Sequence, residues 1–141
     1  MTFGKEVTLV EPSNLYECSI ENGCFVGPFV EIQKGVKIGN NTKVQSHTFI
    51  CELVSIGNDC IIGHGVMFIN DLFPDGESAF GNESKWKSTI LGSNVSIGSN
   101  TQILPVNICD NVVIGAGAVV TNGSVKSGIY VGNPTRFQRV V

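Results

Sequence analysis

Side chains with chemistry to offer recur at one spacing in this chain. Lys34, Glu52 and Asn70 follow one another at intervals of 18 residues, with Asp71 beside Asn70, and Ser46 and His64 repeat that interval, with His47 beside Ser46. Two carboxylates and a carboxamide can hold and aim a nucleophile that carries hydrogens, and an imidazole can take a proton from one near neutral pH. The same Asn and Asp can also do no more than cap a turn. Zinc held by imidazoles is a poor fit: only two histidines exist, and they are not spaced as HxxxxH.

An interval of 18 is three times six, and six is the period of the chain's apolar pattern. Ile20, Val26, Ile32, Ile38, Val44, Ile50, Ile56, Ile62 and Phe68 lead successive hexads. Four places after each comes a second apolar or small residue: Cys24, Val30, Val36, Thr42, Thr48, Val54, Cys60, Val66 and Leu72. The phase resumes at Leu91, Ile97 and Ile103, drops one residue, and continues at Ile108, Ile114 and Val120. A period of six suits neither the 3.6 of an amphipathic helix nor simple strand alternation, but it fits short strands joined by turns in which Gly or Asn takes unusual dihedrals. The pattern predicts an all-β fold, a parallel β-helix of five triangular coils, each burying its apolar side only against its neighbours.

In such a prism, residues 18 apart stack along one corner. Glu52 and Asn70 are then direct neighbours about 5 Å apart, and Ser46 and His64 stack on a different corner, about 16 Å away across one face. Residues 74–88 break the period and form one extruded loop carrying Phe80 and Trp86; a long loop in a compact fold is commonly functional.

Composition narrows the function classes. The 141 residues, without a low-complexity linker, read as a single domain spanning residues 1–141. The net charge of −3 and the absence of a Lys/Arg cluster argue against a nucleic-acid footprint. No leader-like start and no run of ~18 apolar residues is present, which predicts a cytoplasmic protein without a membrane span. The five cysteines lack a CxxC pair, and Cys24 and Cys60 fall on one face two coils apart, about 10 Å, too far for a disulfide; both are expected as reduced core residues.

The hexads, covering about residues 20–136, resemble the hexapeptide-repeat acyltransferases, whose β-helix is left-handed. The strings Gln45-Ser46-His47-Thr48-Phe49-Ile50-Cys51-Glu52, Ile62-Gly63-His64-Gly65-Val66-Met67-Phe68-Ile69-Asn70-Asp71 and Val112 through Thr121 are similar to the acetyltransferases acting on dTDP-3-amino-3,6-dideoxyhexoses. The resemblance implies an N-acetyltransferase that moves acetyl from acetyl-CoA, without a metal, to the sugar 3-amino group, with Glu52, Asn70 and Asp71 around that amine. It also implies a homotrimer with sites between subunits, and a product bound for lipopolysaccharide or S-layer glycans. Relatives exist fused to a 3,4-ketoisomerase domain, so a fused or associated ketoisomerase is a further expectation.

A departure from the wider superfamily carries information. Maltose, galactoside and xenobiotic acetyltransferases place a catalytic His immediately before the proline of this loop, whereas Phe73 precedes Pro74 here. A hydroxyl needs a base to attack a thioester and a neutral amine does not, which favours N- over O-acetylation. O-acetylation of a sugar hydroxyl and a non-catalytic β-helix module remain the alternatives. His64 is retained as a catalytic candidate that only a neighbouring subunit could bring to the amine. Coenzyme A is expected along the late coils: backbone N–H groups of the kind at Gly98 or Ala116 for the oxyanion, pantetheine near Gly115 and Ala116, and Gly132-Asn133-Pro134-Thr135-Arg136 at its end. Lys126, Arg136 and Arg139 are candidate phosphate partners.

Overall fold

In the computed structural model, which describes residues 1–141, the chain winds through three sheets of parallel strands in rotation as far as Val119–Val120. Successive strands of two to four residues fall on the first, second and third sheet in turn: Thr2–Phe3, Thr8–Leu9 and Asn14–Leu15 begin the three stacks. The first and third sheets hold six strands each. The second holds eight, the last of which, Arg136–Arg139, turns back antiparallel on Gly128–Val131 and closes that end.

Every lead residue from Ile20 to Val120 is buried, and 27 residues form one continuous apolar stack along the axis. The second inward positions are buried as well, except Leu72, which is 45% exposed because the chain leaves the coil there for the loop. Thr42 and Thr48 occupy two of these positions without an unpaired hydroxyl, since each donates to a glycine carbonyl one coil on, at Gly57 (3.0 Å) and Gly63 (2.8 Å). Cys24 and Cys60 are buried free thiols, as the spacing predicts.

The solenoid has about seven turns rather than five. A first coil precedes Ile20, led by Phe3, Leu9 and Leu15, but Leu15 stands only five residues before Ile20, and Thr2 pairs with Ser19, a step of 17. That missing residue hides the coil from a search in strict sixes. With no coil beyond them, Phe3 and Leu9 are 44% and 38% exposed, unlike the lead residues that follow. At the other end Gly128–Val131 pairs with Val112–Ile114 and starts a further turn, with Tyr130 in the lead position.

The corners are polar because they spend side chains on backbone. Along the corner between the first and second sheets, Asn22, Asn40, Asn58, Ser93 and Asp110 each accept, through a side-chain oxygen, the N–H of the corner residue one coil earlier, at 2.7–3.1 Å. The next position must be left-handed, and Asn41, Asp59, Asn94 and Asn111 take φ of 55–59° there. This corner is structural, and it leaves the other two corners for chemistry.

Candidate functional site

The corner between the third and first sheets carries the carboxylates that the sequence singled out. Phe49–Ile50 and Met67–Phe68 are adjacent in the third sheet, so Glu52 and Asn70 leave it one above the other, and Asn70 Nδ2 donates to the Glu52 carbonyl at 3.2 Å. Below them Gln33 Oε1 accepts the Glu52 N–H at 3.2 Å. These bonds fix the backbone of Glu52 from both sides and leave two acceptors uncommitted: the Glu52 carboxylate, which receives no hydrogen bond, and Asn70 Oδ1. Both border a cleft of about 370 Å³ whose walls include Gln33, Cys51, Asp71 and Trp86.

Asp71 is used differently. Its Oδ1 accepts the Phe73 N–H at 3.0 Å and its Oδ2 the Ala79 N–H at 2.8 Å, so one carboxylate ties both ends of the outgoing loop segment. The Ala79 N–H, and after it that of Phe73, hold the carboxyl below the usual aspartate range. Turn capping and site lining therefore fall to the same residue. The loop runs out after Asp71, makes one short turn at Glu83–Lys85 capped by Asn82, and returns where the Lys87 N–H meets the Asn70 carbonyl at 2.9 Å. That return seats Trp86, half-buried, on the cleft, while Phe80 stands 80% exposed. Burial pushes the Cys51 thiol up to about 12, with a smaller push from the Glu52 charge, so the wall beside Glu52 is an apolar, protonated thiol and not a nucleophile.

His64 lies on the corner between the second and third sheets, separated from Asn70 by the width of the third sheet. Its Nδ1 is 3.0 Å from Ser46 Oγ, and its backbone N–H donates to Ser99 Oγ at 3.1 Å. Ser99 went unnoticed in the sequence because 17 residues are inserted into the period around the loop, stretching the interval from His64 from 18 residues to 35. Gln33 was missed too, since a single glutamine at a corner carries no periodic signal.

Gly98, Gly115 and Ala116 continue the His64 corner, and their N–H groups are not equivalent. Gly98 donates to the Ile114 carbonyl (2.8 Å) and Gly115 to that of Tyr130 (2.9 Å), whereas the N–H of Ala116, an exposed residue, has no partner in the chain. Gly98 and Ala116 are packed so closely that a Cβ on Gly98 would strike the Ala116 backbone. Pro134 and Arg136 follow on above this corner: the Gly132 carbonyl accepts the Val119 N–H, and Thr135 donates to the Val119 carbonyl, both at 3.0 Å. Arg136 is exposed and bonds only to the adjoining Thr135 carbonyl. Lys126 approaches the same strand, its ammonium 4.2 Å from the ring centre of Phe137, the residue after Arg136. No three His, Cys, Asp or Glu side chains converge on a point where a metal ion could be held.

Comparison with known proteins agrees with this architecture. The family pattern "Bacterial transferase hexapeptide (six repeats)" matches residues 17–52, and "Hexapeptide repeat of succinyl-transferase" matches residues 88–122. The bifunctional protein GlmU of Clostridium botulinum is 37% identical over 124 residues, which are 87% of this chain and 24% of GlmU. The chain thus spans about a quarter of the length of the curated relatives it matches. Among solved structures, a point mutant of AntD, an N-acyltransferase from Bacillus cereus in complex with dTDP and coenzyme A, superposes with a TM-score of 0.88 at 23% identity, over 99% of this chain and 82% of that one. A mutant GDP-perosamine N-acetyl transferase from Caulobacter crescentus, with CoA and GDP-perosamine bound, gives 0.68 at 17% identity, over 95% of this chain and 54% of that one. At these identities the two structures share the fold.

Proposed function

We propose that this chain, which belongs to the hexapeptide-repeat transferases, transfers acetyl from acetyl-CoA to the 3-amino group of a dTDP-linked 3-amino-3,6-dideoxyhexose. The observation that carries the reading is the pairing of an unengaged carboxylate, Glu52, with an unengaged carbonyl oxygen, Asn70 Oδ1, in a cleft whose own corner holds no imidazole. Such a site holds and aims an amine that needs no base to be nucleophilic. Phe73, in the place where hydroxyl-acetylating relatives carry a histidine, points the same way. That AntD binds dTDP and coenzyme A on the same fold supports the choice of both substrates.

In this mechanism Glu52 and Asn70 Oδ1 accept hydrogen bonds from the amine and turn its lone pair toward the thioester, so proximity supplies much of the rate. The nitrogen attacks the thioester carbonyl carbon, and a backbone N–H receives the oxyanion. Ala116 fits that role because its N–H is free, while that of Gly98 is spent in the ladder. The C–S bond then breaks, and the surplus proton leaves nitrogen for the CoA thiolate. Asp71 anchors the loop that bears Trp86. His64 and Ala116 reach the amine across a cleft from a neighbouring copy, which makes the active unit a homotrimer of single-domain, left-handed β-helices working in the cytoplasm. No helix is long and apolar enough to cross a membrane. Gly115, Pro134 and Arg136 lie along the pantetheine and nucleotide of CoA, with Lys126 as a further partner of its phosphates.

A panel of amino-sugar nucleotides offered with acetyl-CoA and followed by free-thiol release tests the reading. An amide product, stable to mild alkaline hydrolysis, is expected. An alkali-labile ester would replace it with O-acetylation, and no thiol release from any acceptor would remove it.

A further inference from the structure

The acceptor in the reading above is an amine at one end of a nucleoside diphosphate, and the diphosphate has to lie somewhere. The cleft repels it, because the Glu52 and Asp71 carboxylates line it and Glu31 is hydrogen-bonded to Gln33 on its wall. Of the nine basic residues, six sit on other corners, other faces or the C-terminal strand, and Lys85 is held by Asp75 at 2.7 Å. Lys34 and Lys87 are the two that flank Glu52 and Asn70.

The ladder of the third sheet orders what lies along this corner. Asn14 pairs with Glu31, Glu31 with Phe49, and Phe49 with Met67. The residues that follow those strands therefore stack as Glu17, Lys34, Glu52 and Asn70, with Tyr16 beside Glu17. At about 4.8 Å per coil, Lys34 lies ~10 Å from Asn70 along the corner and Tyr16 ~15 Å away. Those are the spacings at which the phosphates and then the base of an extended sugar nucleotide fall when its amine is placed at Asn70. The Lys34 ammonium has one partner, the Glu17 carboxylate, at a loose 3.9 Å, with both side chains about two-thirds exposed (63% and 67%). A pair so exposed is weakly coupled and gives way to a stronger anion. Tyr16 is 37% exposed on a backbone tied to the Ile32 carbonyl at 3.2 Å, which offers part of an aromatic side chain for a base to stack on.

We infer that Lys34 binds the diphosphate of the acceptor and that this corner is the acceptor's track, running from the amine at Asn70 past Lys34 to the base at Tyr16. The inference rests on the proposed function for the nature of its ligand. It adds a direction: the nucleotide points to the N-terminal coil, away from the extruded loop.

The test is calorimetric binding of dTDP, UDP and GDP alone to the full chain, which needs no turnover. Lys34→Ala should weaken the best-bound nucleotide at least tenfold and flatten its salt dependence, with an unchanged melting temperature. Lys34→Arg should keep most of the affinity, and Glu17→Gln should raise it two- to threefold by removing the competing carboxylate. In steady state, Lys34→Ala should raise KM for the sugar nucleotide by a similar factor and leave KM for acetyl-CoA and kcat in place. Loss of affinity in Lys87→Ala but not in Lys34→Ala would turn the nucleotide toward the loop and overturn the inference, as would binding of none of the three nucleotides. Acetylation that proceeds with Lys34 silent would sink the inference and keep the function. Lys34-dependent nucleotide binding without acetyl transfer to any amino sugar would do the reverse.

Discussion

Replacing Glu52 by Gln separates an aiming carboxylate from an obligatory base. In the structure the Glu52 carboxylate receives no hydrogen bond from the chain, while its backbone is held on both sides by Gln33 and Asn70. The substitution therefore removes a charge and leaves every fold contact in place, so stability should stay within about 0.5 kcal/mol of the parent. A hydrogen bond to a charged acceptor is worth about 1.5–3 kcal/mol and one to a neutral carbonyl about 0.5–1.5. The half-exposed position of Glu52 puts the difference at the modest end, about 1–2 kcal/mol. At 1.4 kcal/mol per factor of ten, kcat/KM for the amino-sugar nucleotide should fall about 5–30-fold, measured by thiol release under subsaturating acceptor. The pH profile should keep its shape, rising to a plateau at the pKa of the acceptor's own amine and moving with that amine when the sugar is changed. Activity at background with acceptor affinity intact would mean that Glu52 is an obligatory base, and an unchanged kcat/KM would mean that it does not face the amine. Either result refutes the reasoning.

Three further outcomes follow from other parts of the structure. The ionised Asp71 carboxylate is what holds the loop N–H groups of Ala79 and Phe73. Its folded pKa lies below the ordinary ~3.9, so the contact is complete above that value and is lost as the pH falls through the lowered one. Proteolysis within residues 74–88 by an acid-active protease should accelerate there ahead of global unfolding, and Asp71→Ala should show the same lability at pH 7. The Cys51 thiol, raised to about 12 by burial, should resist iodoacetamide at pH 8 until the chain unfolds. Because its folded pKa exceeds the unfolded ~8.5, its contribution to stability is full below that value and declines as the pH rises above it. Ile62→Ala in the middle of the stack should cost about 2–5 kcal/mol in denaturant unfolding, because coils on both sides prevent collapse of the cavity. A loss under 1 kcal/mol would mean that the coils breathe far more than their packing implies.

The six-residue period by itself determined that this chain is a β-solenoid, which residues form its axis, and that Glu52 stacks under Asn70 and Ser46 under His64. Periodicity can do this because each coil repeats one local solution, so burial is dictated hexad by hexad and side-chain direction follows from position alone. It failed where the repeat is imperfect. The residue missing between Leu15 and Ile20 concealed the first coil, and the 17 residues inserted around the loop concealed Ser99 above His64.

What only the tertiary structure decided is how each polar group is spent. Glu52 and Asp71 look alike in sequence, two carboxylates at one corner, yet Asp71 closes on two backbone N–H groups and Glu52 on none. Gly98 and Ala116 look alike as close-approach positions, yet the N–H of Gly98 is consumed by the ladder and that of Ala116 is not. Hydrogen bonds are pairwise and directional, so their allocation depends on where an excursion such as the 74–88 loop returns, and no period encodes that return.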